Sequence, residues 1–195
     1  MRAMKPFALR TLPALLLAVA ATATAGTVES TNPSNGLSNW QSEGTPFSLQ
    51  LLQLMPDNVR AIYSRNDFPP ALVEEMAGYC VFGSVIRNLA DEPVSYDVAD
   101  WRAITADGVR HRLRTKTDWL KIWQSQGVDF GWSILPAAQT LEVGDWGQGF
   151  TTLKLPHGSR FDLDYSWRQH GKTFHAILEG LQCAPEELPV PPRQP

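Results

Sequence analysis

Along most of the chain the apolar residues recur with the two-residue period of a β-strand. Phe47, Leu49 and Leu51 alternate with Ser48 and Gln50, which predicts a strand. Tyr79 to Asn88 is a dense apolar run with Val81, Phe82, Val85 and Ile86, and its β-branched bias suits a central strand covered on both faces. After the turn Asp91-Glu92-Pro93, Val94 to Thr105 reads as another strand, bent along its length. Ala106-Asp107-Gly108 is a hairpin turn, beyond which Val109, His111 and Leu113 alternate with Arg110, Arg112 and Arg114. Trp132 to Leu135 and Gly149 to Leu155 read as short strands.

The last hairpin carries its own internal test. Phe161, Leu163, Tyr165 and Trp167 alternate on one strand, and Phe174, Ala176 and Leu178 on the next. With His170-Gly171 as a two-residue turn, Trp167 faces Phe174, Tyr165 faces Ala176 and Leu163 faces Leu178, so both apolar sets share one face. A three-residue loop would put them on opposite faces.

In three places the period lengthens to that of a helix. Pro56-Asp57-Asn58 opens one, with Val59, Ile62 and Tyr63 at helical spacing. Pro69-Pro70 opens a second, with Leu72, Val73 and Met76 as its stripe and Gly78 as its terminator. Thr117 is read as the cap of a third, whose face carries Trp119, Ile122 and Trp123 and which stops at Gly127. The sum predicts a mainly β domain, an antiparallel immunoglobulin-like β-sandwich with one to three short helical insertions. The Cys…Trp…Cys spacing of antibody domains is missing, so "immunoglobulin-like" describes architecture only.

The ends break the pattern. Arg2, Lys5 and Arg10 come without an acid, an apolar run follows from Leu12 to Ala21, and then Ala23-Thr24-Ala25. That is a secretory signal peptide over residues 1–25, cut after Ala25 or alternatively after Ala23 or Ala21. The run is short for a bilayer core of about 30 Å, although an uncut anchor is the competing reading. No cysteine stands near the cleavage site to take a lipid, and no later stretch suggests a transmembrane segment. Residues 26–46 are polar and without period and read as a flexible leader. The β-sandwich domain is placed at 47–183, with a small helical segment near its N-terminus. Residues 184–195 hold Pro185, Pro189, Pro191, Pro192 and Pro195 and read as a disordered proline-rich tail.

Composition sharpens this picture. The 195 residues carry 17 Lys+Arg and 20 Asp+Glu, and loss of the three basic signal residues takes the formal charge from −3 to −6. An acidic chain with a pI near 5.8 argues against nucleic acid as a partner. Two cysteines exclude a four-thiolate zinc site, and no Cys-x-x-Cys redox spacing exists. Cys80 and Cys183 stand at the first strong core strand and the end of the last, and are read as one disulfide. It would close a loop of about 100 residues, for which chain entropy gives an upper figure of roughly 4–5 kcal/mol.

Three surfaces carry candidate chemistry. Trp132 and Trp146 flank glycine-containing turns and are expected to be exposed, where with Asp145 and Gln148 they can stack on sugar rings or anchor a partner. Arg110, Arg112 and Arg114, with Lys116, form a basic stripe for an acidic partner, a phosphate or a lipid head group, or serve as edge protection. His170 at the turn tip of the last hairpin, with His175, Asp162, Asp164 and Glu179 on its outer face, are the candidate metal ligands, for copper or zinc through histidine or for calcium through carboxylates. In the predicted register Asp162 faces Glu179, a like-charge pair that a neighbouring basic strand could also neutralise. There is no G-x-S-x-G elbow, phosphate loop or dinucleotide fingerprint, and Asp97 and Asp100 are the one acid pair noted for glycoside hydrolysis. The expectation is a non-enzymatic binding or accessory module of the cell envelope, periplasmic or secreted, without cofactor. Its partner would be an envelope protein or a polysaccharide. A periplasmic copper- or zinc-binding protein is the alternative, and a hydrolase ranks below it.

Overall fold

The computed structural model describes residues 26–187. The signal peptide and cleavage site expected from the sequence, and residues 188–195 of the expected tail, lie outside the described residues.

The first described segment corrects an expectation. Instead of a flexible leader, β1 (Gly26–Thr31) and β2 (Ser38–Glu43) form an antiparallel hairpin. It escaped the period-two reading because only Trp40 supplies a large inward side chain. Ser42, also buried, accepts a hydrogen bond from the Leu49 amide at 2.9 Å, so a polar residue fills an inward position without an orphaned group.

β3 (Phe47–Leu54) follows, then the helices α1 (Pro56–Ser64) and α2 (Pro70–Ala77), each with proline in its first turn. Next come β4 (Cys80–Asn88) and β5 (Val94–Asp97). A 3-10 turn at Val98–Asp100 separates β5 from β6 (Arg102–Thr105), so the bent strand is two strands. β7 (Arg110–Arg114) leads into α3 (Lys116–Ser125). Its cap is Thr115, not Thr117. The Thr115 hydroxyl accepts from the Asp118 amide, and the Asp118 carboxylate accepts from the Thr115 amide at 3.0 Å. Trp132 to Leu135 is not a strand but makes one parallel bridge, Ile134 to Phe150. Four strands complete the chain: β8 (Ala138–Leu141), β9 (Trp146–Leu153), β10 (Arg160–Gln169) and β11 (Lys172–Gln182).

The strands form an antiparallel β-sandwich. One sheet runs β1-β2-β3-β4-β9-β7. The other is built on β10, with β11 along one side. On its other side β6 pairs with the first half of β10 and β5 with the second, and β8 flanks β5. β7 joins the sheets, pairing with β6 through Arg110–Arg112 and with β9 through Leu113–Arg114. Between the two inner faces lies the main core. At its centre the Phe47 ring meets Tyr96, Trp101, Tyr165 and Trp167 at centroid distances of 5.6–6.4 Å. A second core lies outside the first sheet, where α1, α2 and α3 cover the Val81 end of β4 with Tyr63, Met76, Trp119 and Trp123. Beyond that layer Gly83 and Val85 are only half buried, so the double coverage expected of β4 is partial.

The last hairpin has the predicted register: Trp167 pairs with Phe174, Tyr165 with Ala176 and Leu163 with Leu178. His170 and Gly171 both adopt positive φ, as a two-residue type I′ turn requires. The Asp162–Glu179 confrontation does not occur. β11 carries one extra residue between Leu178 and Leu181, with Gly180 at φ +70°. At this bulge the Gly180 amide donates to Asp162 at 2.8 Å.

Cys80 and Cys183 form the disulfide, with Cα atoms 5.1 Å apart. It ties the start of β4 in one sheet to the residue just past β11 in the other, and both cysteines are buried. Replacing both with alanine should lower unfolding stability by about 2–5 kcal/mol. Urea titration of oxidised wild type against the double variant measures this, and equal midpoints would mean that the clasp contributes nothing.

Candidate functional site

Two surfaces flank the helical layer. The first is the uncovered outer face of the first sheet. Leu52 on β3 stands beside Gly83 on β4, and Gly83 beside Phe150 on β9. The adjacent row is Gln50, Val85 and Gln148, and the next brings Arg87 against Trp146. Leu52, Gly83, Val85, Gln148 and Phe150 floor an open groove of about 320 Å³, with Trp132 as its wall. Trp132 is 68% exposed and Trp146 57%, the two tryptophans expected at the surface. Trp146, Gln148 and Phe150 follow one another on this face at intervals of about 7 Å, the two-residue rise of a strand.

The backbone beneath Trp132 is locked. The Phe150 amide donates to Ser133 O at 2.7 Å, and the Leu135 amide donates to Phe150 O at 3.0 Å. Ser133 is buried, with its hydroxyl 2.8 Å from that of Tyr63. Burial pushes the Tyr63 phenol well above its ordinary range, against the opposing effect of that bond, so it stays neutral. The Trp132 ring rests on Phe130, centroids 4.9 Å apart. Gly149 makes the crossing possible, since a Cβ there would lie 2.4 Å from the Leu135 nitrogen. Asp145, the residue before Trp146, has a structural contact of its own. Its carboxylate accepts from the Glu142 amide at 2.9 Å and closes the turn before β9.

The second surface is a cleft of about 400 Å³ between β7, α3 and the end of β9. Arg112, Arg114, Lys121 and Lys154 surround it together with the Asp118 carboxylate, with Tyr79, Leu113 and Ile122 as its apolar part. Arg112 pairs with Asp118 at 2.8 Å and Arg114 with Glu75 at 2.8 Å. The Arg114 guanidinium lies over Tyr79 and Trp119, and Lys154 lies over the same Tyr79 ring at 4.6 Å. Burial raises the pKa of Tyr79, with Arg114 opposing. Burial would also raise that of Asp118, but hydrogen bonds from Thr115 and the charges of Arg112 and Arg114 outweigh it and hold the carboxyl below its usual range. The basic stripe is therefore divided. Arg110 leaves the cleft and reaches Asp164 at 2.6 Å. Lys121 and Lys154 were not in the stripe, because only the β7–β9 pairing and the turn of α3 bring them to it.

The candidate metal ligands do not converge on one point, although Asp164 and His175 meet at 3.2 Å. Asp164 is held by Arg110 and by His175, Asp162 caps the Gly180 amide, and His170 meets Glu92. Among the described residues no group of three His, Cys, Asp or Glu side chains could hold a metal ion. Of the acidic outer face, Asp164 is met by Arg110 from the basic strand β7. The acid pair is also engaged: Asp97 caps the 3-10 turn through the Ala99 amide, and Asp100 pairs with Arg168 at 3.0 Å.

No family model and no curated protein matches the chain. Among solved structures a secreted protein of Mycobacterium tuberculosis, MPT63, is similar over 79% of this chain and 92% of its own, with 13% identity and a TM-score of 0.33. A likeness that low bears on neither mechanism nor ligand. No helix among the described residues is long and apolar enough to cross a membrane.

Gly149→Ala should destabilise the domain by about 1–3 kcal/mol, because a backbone rather than a side chain must yield. Trp132 fluorescence should shift at the same time, and an unchanged melting temperature and spectrum would contradict the crossing. Asp118 makes a second prediction. Its folded pKa lies below the unfolded value of about 3.9, so its stabilisation is present above that value and is lost as pH falls through the folded one. Wild type should therefore exceed Asp118→Asn in stability near neutral pH, and the gap should shrink as pH falls below the unfolded value of about 3.9. A gap independent of pH would refute it.

Proposed function

We propose that the chain is an exported, non-enzymatic binding module that holds a polysaccharide in the groove walled by Trp132. The observation that carries this reading is an indole 68% exposed on a backbone fixed from both sides. A rigid exposed ring loses little conformational freedom on binding, and its face suits the C–H face of a sugar. Gln148 on the floor, with Gln50 in the same row, offers amide donors and acceptors to sugar hydroxyls, and Trp146 extends the aromatic surface along β9. Export is supported by the signal-peptide pattern of residues 1–25 and by a buried disulfide, which persists in oxidising compartments.

Affinity electrophoresis in gels cast with soluble glucans, mannans or peptidoglycan fragments tests the reading. At least one should retard the wild type, and Trp132→Ala should weaken that retardation by about tenfold or more without lowering the melting temperature. Trp146→Ala should weaken it less. Retardation by none of these polymers, or retardation indifferent to Trp132, would overturn the proposal.

A further inference from the structure

We infer that the cleft lined by Arg112, Arg114, Lys121 and Lys154 is a second binding site, specific for a phosphate monoester group. The site is independent of the aromatic groove and does not rest on the polysaccharide reading.

The argument starts from charge. In a chain of net charge −3, four cationic side chains from three separate segments converge on one cleft. The carboxylates around it, Asp118 and Glu75, take up Arg112 and Arg114. Among the described residues Lys121 and Lys154 meet no carboxylate. Lys154 instead donates to Gly78 O at 2.9 Å and lies over Tyr79. Two ammonium groups thus remain uncompensated beside two guanidinium groups, a surplus that suits a dianion.

The geometry adds selectivity. Arg114 is fixed between Glu75 and the Tyr79 and Trp119 rings, so its guanidinium is already ordered. Arg112 is the mobile partner: its side chain is 65% exposed, and an exposed ion pair of this kind costs little to open. A ligand phosphate can therefore take the outer guanidinium edge of Arg112 while Lys121 and Lys154 supply point charges. Tyr79 and Ile122 leave an apolar surface beside them for the body that carries the phosphate. Edge protection of a strand does not account for this set, since Lys121 lies on a helix and Lys154 follows the end of β9.

The phosphate could be soluble or a lipid head group, and the test separates the two. In the first arm, full-length protein without its signal is titrated with inorganic phosphate at constant ionic strength and followed by amide chemical shifts. Saturable shifts should gather at residues 78–79, 112–122 and 154. Lys121→Glu, which breaks no ion pair, should weaken binding about tenfold or more without changing the melting temperature. Trp132→Ala should leave phosphate binding as it is. In the second arm, neutral phosphatidylcholine vesicles with and without phosphatidic acid are sedimented with the protein. Co-sedimentation that needs phosphatidic acid and is lost in Lys121→Glu assigns the site to a lipid; phosphate binding without co-sedimentation assigns it to a soluble ester. Absence of saturable shifts together with absence of co-sedimentation overturns the inference, as does binding unaffected by Lys121→Glu. Loss of phosphate binding in Trp132→Ala would overturn the independence of the two sites.

Discussion

The meeting of four aromatic rings around Phe47 governs the rest of the molecule. Phe47 belongs to the first sheet, and Tyr96, Trp101, Tyr165 and Trp167 to the second sheet and its 3-10 corner. Burying one such side chain favours folding by about 1.5–3 kcal/mol, so the cluster fixes which parity of each strand faces inward. Once Phe47, Leu49 and Leu51 point in, Gln50 and Leu52 must point out. The outer face of the first sheet, with its groove, is the complement of that choice.

The helices then divide this outer face. They cover the row at Val81 and leave the rows at Gly83 and Val85 open, which sets the groove on one side and the basic cleft on the other. A continuous line of packed groups runs between them. Arg114 lies over Trp119, Trp119 stacks on Trp123, Trp123 meets Phe130, and Phe130 supports Trp132. Trp119 is further pinned, its indole N–H donating to Thr152, whose hydroxyl donates to the Arg114 carbonyl. Close-packed aromatic groups deform little, so the two surfaces sit on a common rigid support.

Where side-chain pattern decides structure, the sequence is a good guide. The hairpin register is legible because a one-residue slip would expose Leu163, Tyr165 and Trp167 together. Trp132 and Trp146 are legible as surface residues from their glycine-containing surroundings. The β1–β2 hairpin is not, because it rests on backbone pairing with a single large inward residue, Trp40. β8 fails for the same reason: of its four residues only Leu141 is buried. The cap at Thr115 rather than Thr117 turns on a reciprocal bond with Asp118 that spacing alone does not single out. Of the basic cleft only the arginines are visible in sequence, since Lys121 and Lys154 are joined to them by tertiary pairing.

The placement of the disulfide also orders events in time. A chain is made N-terminus first, and Cys183 follows Cys80 by 103 residues. Until nearly the whole domain has emerged, Cys80 has no partner, although β3 and β4 can already pair. The bond therefore acts as a completion mark. A chain broken off anywhere between the two cysteines keeps a lone thiol at the start of its central strand. In an oxidising compartment that thiol would couple fragments to one another, giving incomplete chains a covalent label that finished ones lack.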